Sequence, residues 1–396
     1  MKTHIALFTA LLLAGRALAL NIPSDGSDGN FSPGADIEVD LGQAITGAWD
    51  AENSANVGKG RYDASKWAVV FKYASVNIPV GVTVTFKNHP KNAPVVWLVN
   101  GNVTIAGTVK LDGKNWTNDS ILRLYPVEAG PGGFRGGATG PSGTGTAFGP
   151  GGGNASGGPF GGNAGSYSTT YGNPQVLPLL GGSGGGAHTS GSTGSGGGGA
   201  IMIAAAGNIQ HTGTLTANGG QHVDYGPAGG SGGAIRLIAE QVLGGGVVTA
   251  VTPGTSALFT QGRIRIETSL LSTTLQINPN TIAVPPPTVP IIFPAANAPT
   301  ASVLSVAGVA APADPSAPLI SSADVGIQQN GNVDVIIQTT NFPTSGDVKL
   351  RVGPKYAAAV LVNATYLSGG FSSANWKATL TFNPGFSAMQ AIATVP

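Results

Sequence analysis

No cysteine occurs in this chain of 396 residues. Disulfide staples are excluded, so burial and backbone pairing must supply the stability, which a chain of this size can do. Charge is also scarce: Lys, Arg, Asp and Glu make up 9% of the residues and balance at +1. Such a composition argues against a long solvated helix, a disordered polyelectrolyte or a phosphate-reading surface, and no nucleic-acid partner is expected. Nor does the net charge steer the chain toward a membrane surface.

Glycine and β-forming residues are what the chain has, with 63 glycines and 28 prolines. At the start, Lys2 and His4 precede an apolar run from Ile5 to Gly15, followed by the small-x-small pattern Ala17-Leu18-Ala19. Residues 1–19 therefore read as a signal peptide, and the mature chain is expected to begin near Leu20 and to be exported without membrane insertion.

From Trp67 to Gly113 short β-branched and aromatic runs, such as Ala68–Tyr73, Val82–Phe86 and Val95–Val99, are bounded by Gly, Pro or Asn, and none has helical period. An internal repeat then sets the architecture. Residues 101–113 and 207–219 share the pattern Gly-Asn-β-x-x-x-Gly-Thr-β-x-x-x-Gly without a gap, and Ala200–Ala204 is echoed from Ala234, with Gly262–Glu267 opening another copy. Short strands recurring with glycine at the corners predict a parallel β-helix, a β-solenoid, over residues 20–283. Alternation places Val103, Ile105, Val109 and Leu111 inside, and Thr104, Thr108 and Lys110 outside. A β-sandwich made of hairpins is the rival.

Residues 130–199 form a glycine-rich insert: 29 of its 70 residues are glycine, and Arg135 is its only Lys, Arg, Asp or Glu. A flexible loop and a packed array of extended glycine helices are both open readings. Phe134, Phe148, Phe160, Tyr167 and Tyr171 among the glycines count against a simple linker. Prolines over 284–299 read as a stiff linker. Beyond it, evenly spaced strands over 300–396 predict an immunoglobulin-like β-sandwich with Trp376 or Phe371 in its core.

The block "GGSGGGAHTSGSTGSGGGGAIMIAAAGNIQHTGTLTANGG", followed by "GGSGGAIRLIAEQV" and "GRIRIE", resembles a recurring type of secreted bacterial glycine-rich parallel β-helix protein. The resemblance covers roughly residues 101–267 and implies fold and export, but no activity. The glycine runs are also similar to the polyglycine-helix domain of the anaplastic lymphoma kinase receptor family, whose cysteines are absent here.

Because parallel β-helices often carry polysaccharide lyases and hydrolases, paired carboxylates and nearby basic residues are the chemistry to seek. The best cluster is His222 and Asp224, two apart and so on one face of a strand, with Arg236 on a later coil. A polar loop between strands is the plainer account. Arg263, Arg265 and Glu267 alternate as a solvated outer face would. Asp25–Asn30 has the oxygen-rich flavour of a calcium loop but lacks the closing glutamate. The five histidines show no zinc spacing, and no lysine follows the Gly-x-Gly strings as a phosphate loop requires. No metal or cofactor is expected. The sequence thus points to an exported structural or adhesive surface protein that contacts polysaccharide. The alternative is a polysaccharide lyase or glycoside hydrolase using His222, Asp224 and Arg236. A third reading, a Thr-rich face for a crystalline surface such as ice, is disfavoured by irregular Thr spacing.

Overall fold

The computed structural model describes residues 20–141, 143–153, 171–188, 191–221, 229–253, 261–319, 322–328, 331–382 and 384–395. The chain is all-β, and its N-terminal part is built on three sheets visited in a fixed cyclic order. Ala68–Tyr73 lies in one sheet, Ser75–Ile78 in a second and Thr83–Lys87 in a third. Val95–Val99 then returns to the first sheet, Val103–Ile105 to the second and Thr108–Lys110 to the third. Apart from the antiparallel pair Arg61–Asp63 with Ala68–Tyr73, every pairing in the three sheets is parallel.

The two repeat copies are neighbours in space. Val103 pairs with Ile209 and Thr108 with Thr214, although each partner lies 106 residues further along the chain. Ala234 pairs with Ala200, and Arg263 with Ala234, in the same sheet as Val95–Val99. The repeat's Asn102 and the residues at 112 and 218, Asp in one copy and Asn in the other, have a defined task at the corners. The Asn102 side-chain oxygen accepts from the Asn208 amide at 2.9 Å, and Asp112 from Asn218 at 2.7 Å; Asn218 in turn accepts from Val251 at 2.9 Å.

Pattern and burial agree in these strands. Val103, Ile105, Val109 and Leu111 are at most 1% exposed and share one core, while Lys110 is exposed. The central strands of the first sheet, Ala68–Tyr73, Val95–Val99 and Ala200–Ala205, are buried along their whole length, which is why they read as nearly unbroken apolar runs. One face carries Val69, Phe71, Trp97 and Ile203 into the central core. The other face packs Val70, Leu98 and Met202 against Leu20, Ile22, Val176, Leu179 and Ile292.

That second layer bears on two expectations. Residues 284–299, expected as a stiff linker, lie against the parallel sheets: Val284 bridges to Glu267, Thr288 accepts from Asn21, and Ile292 is buried against the first sheet. For the same reason Glu267 is 2% exposed and does not sit on a solvated face.

The described parts of 130–199 are packed, extended and almost strandless. Their backbone bonds run to several neighbours in turn. The amide of Gly196 donates to Lys114, Gly197 to Phe134, Gly198 to Ser231 and Gly199 back to Leu111. Amides that return to one neighbour every third residue are what a threefold extended helix presents. A Cβ at Gly197 would overlap the carbonyl of Gly182, and one at Gly194 the carbonyl of Gly185, so only glycine allows this spacing.

The C-terminal part consists of a five-stranded and a three-stranded antiparallel sheet around a shared apolar core. Trp376 is 4% exposed there and donates to Thr339 Oγ1, whereas Phe371 is 61% exposed and takes no part. This unit docks on the glycine array through Arg351, which donates to the Ala147 carbonyl, and Tyr356, which donates to Leu124. No helix among the described residues is long and apolar enough to cross a membrane.

Overpacking a core costs about 1–3 kcal/mol or more where the backbone must move. Gly197→Ala is therefore expected to lower the unfolding free energy by about 3 kcal/mol in urea titrations. Gly34→Ala, where an added methyl meets open space, is expected to leave it unchanged.

Candidate functional site

Of the residues nominated by sequence, His222 and Asp224 lie outside the described residues. Arg236 is described, and it does not face a groove. It is 2% exposed, with Nε and Nη2 donating to Glu267 Oε1 at 3.0 and 2.7 Å and Nη1 donating to the Ile291 carbonyl at 2.7 Å. Arg265 adds a third bond to the same Glu267 oxygen at 3.1 Å. The guanidinium is spent on holding Glu267 and the segment that contains Ile291.

The oxygen-rich segment 25–30 is likewise spent. The buried Lys72 ammonium reaches Asp25 at 2.6 Å, so a lysine, with no need of a cation, neutralises that carboxylate. Asp28 accepts from the amides of Gly58, Gly60 and Lys72 and from the Asn53 side chain. Among the described residues no cluster of three or more His, Cys, Asp or Glu could hold a metal ion.

Ile291 leads to a site that sequence reasoning missed. Pro23, Trp49, Lys66 and Pro290–Phe293 line an open cleft of about 270 Å³. Trp49 and Phe293 form its aromatic wall, with ring centroids 5.1 Å apart and planes inclined by 58°. The Lys66 ammonium stands 5.9 Å from the centre of the Phe293 ring, and no carboxylate among the described residues forms an ion pair with it. Four separate stretches of chain meet here, so no local motif announces the site.

Two buried charged groups shape the cleft from behind. Asp63, 7% exposed, accepts from the Trp49 amide at 3.0 Å, from the Ser65 amide and hydroxyl, and from the Lys66 amide. Burial alone would raise its carboxyl, but the bonds from Ser65, Trp49 and Lys66 hold it below the ordinary carboxylate value. Arg236 fixes the opposite wall through the Ile291 carbonyl.

A second feature is a largely polar face on the third sheet. Parallel register aligns Thr83, Thr108, Thr214, Val247 and Gln276 in one row. Lys110, Thr216, Thr249 and Asn278 form the next row. Strand spacing sets the steps within a row at about 4.8 Å. The irregular Thr spacing along the sequence thus becomes regular across the sheet.

Removing one partner of a buried ion pair costs about 3–5 kcal/mol, because it strands the other charge. Glu267→Gln should lose about that much in urea unfolding, and the double change Arg236→Met with Glu267→Leu should recover most of it. A pH effect is expected at His211, which is 1% exposed with Nε2 3.0 Å from the Val247 carbonyl. Burial lowers its pKa against the opposing pull of that carbonyl. With the folded value below the unfolded value of about 6.5, the stability it contributes is complete above that pH and is lost as pH falls through it. Thermal melts from neutral to mildly acidic pH should show a shallower loss of Tm in His211→Gln than in the native chain.

Set against known proteins, the chain matches no family model, no curated protein and no solved structure.

Proposed function

We propose that the chain is an exported, non-catalytic adhesive or matrix protein that lies along an extracellular polysaccharide. Its scaffold is a parallel β-solenoid carrying a glycine-helix array, followed by an immunoglobulin-like sandwich. The cyclic passage of the chain through three parallel sheets supports the solenoid, and the two antiparallel sheets around Trp376 support the sandwich. The apolar run ahead of Leu20 supports export.

The observation that carries the binding role is the in-register grid of Thr, Lys, Gln and Asn on the third sheet. A rigid grid loses little entropy on contact, and its accessible groups, those of Thr108, Thr214, Gln276 and Asn278, can pair with the hydroxyls of a repetitive polymer, while the Thr216 hydroxyl is buried. Lys110 is paired with Asp112 at 3.7 Å, so a neutral polymer meets no unpaired charge there.

The native chain should co-sediment with an insoluble neutral polysaccharide and release no sugar. Thr108→Asp with Thr214→Asp, placing two adjacent carboxylates in the central row, should abolish co-sedimentation while the melting temperature stays within a few degrees. Depolymerisation that disappears in Asp224→Asn would overturn the proposal in favour of a polysaccharide lyase or hydrolase.

A further inference from the structure

The cleft lined by Trp49 and Phe293 differs from the grid in composition and in charge. It is shallow and open, lined by rings and aliphatic side chains, and bears one cation at its edge. Open to solvent and about 270 Å³ in volume, it suits one ring of a chain whose other units lie outside it. Ring walls favour a partner with a flat C–H face, as a pyranose has. The Lys66 ammonium favours an anion on that partner, because a cation beside apolar walls is poorly screened and lacks a carboxylate of its own.

The support behind the walls separates this cleft from an accidental gap. Asp63 fixes the backbone of both Trp49 and Lys66, and Arg236 fixes that of Ile291. Both are buried charged side chains whose polar contacts set the cleft's geometry, an arrangement expected of a preorganised site.

We propose that this cleft binds a carboxylated sugar residue, a hexuronate unit of an extracellular polysaccharide. The C–H face of the sugar lies on Trp49 and Phe293, and its carboxylate pairs with Lys66. The assignment rests on the polymer-binding reading above and adds a substrate class to it: the solenoid face takes neutral polymer, while the cleft selects acidic residues. Trp49 and Lys66 contact the ligand directly; Asp63 and Arg236 act as positioning residues.

Calorimetric titration of the whole chain with trigalacturonate, and with the same trimer after reduction of its carboxyl groups, tests the assignment. Trigalacturonate should bind about fivefold tighter than the reduced trimer, the worth of one partly exposed ion pair, and this advantage should fade as salt is added. Lys66→Met keeps the aliphatic stem and should erase both the preference and the salt dependence. Trp49→Ala should lose binding of both trimers. Absence of trigalacturonate binding, or an unchanged preference in Lys66→Met with a native melting curve, overturns the proposal. Co-sedimentation with neutral polymer is scored separately: if it persists while the trimer fails, the cleft assignment falls alone. If the trimer binds while co-sedimentation fails, the grid reading falls alone.

Discussion

Backbone amides that find their carbonyls in another segment of the chain are what this protein depends on. With few charges and no disulfide, this pairing works with the apolar cores to hold distant segments together. In the parallel sheets the demand is met strand by strand. In the glycine array it is met by extended segments that approach too closely for any Cβ, as Gly197 does against Gly182. Corner residues such as Asn102 and Asp112 extend the same logic, supplying side-chain oxygens where the ladder would leave an amide unpaired.

The few buried charges follow from this economy. Lys72, Asp63, Arg236 and Glu267 are each surrounded by partners, and several of those partners are main-chain atoms. A charge in such a setting organises backbone at a distance from itself. Arg236 is the instructive case: as a sequence feature it suggests chemistry beside His222 and Asp224, yet in the fold it braces the segment after Pro290. The consequence for the cleft is that its lining backbone is held by buried groups behind it, Asp63 and Arg236.

How much of this was legible in the sequence depended on the range of the signal. Alternation over Val103–Leu111 located inside and outside correctly, because a half-buried strand writes its two faces into neighbouring positions. The apolar run Ala200–Ala205 read as a strand, but its second covered face was not legible, because Leu20, Val176 and Ile292, which cover it, come from places with no shared pattern. The glycine array was ambiguous since glycine side chains leave no periodicity to read, and only the embedded aromatics hinted at packing. Phe371 and Trp376 were equal candidates for the C-terminal core because two aromatic residues five apart look alike without the sheet that buries one of them. The cleft was illegible for a simpler reason: Trp49, Lys66 and Phe293 are joined only by tertiary structure.

Adjacent turns of the parallel sheets are separated by 106 residues where the glycine array intervenes, against 33 at the next step. Closing a loop of that length is entropically more demanding and kinetically slower than closing the short ones on either side. The strands from Ala68 to Lys110 and those from Ala200 to Asn278 each pair with near neighbours in sequence. The docking of Ala200–Ala205 against Val95–Val99 instead joins residues 106 apart, as Ile201 is from Val95. During synthesis the first half must wait with its Val95–Val99 edge uncapped until more than a hundred further residues emerge, and that interval is when the chain is most open to mispairing with a second copy.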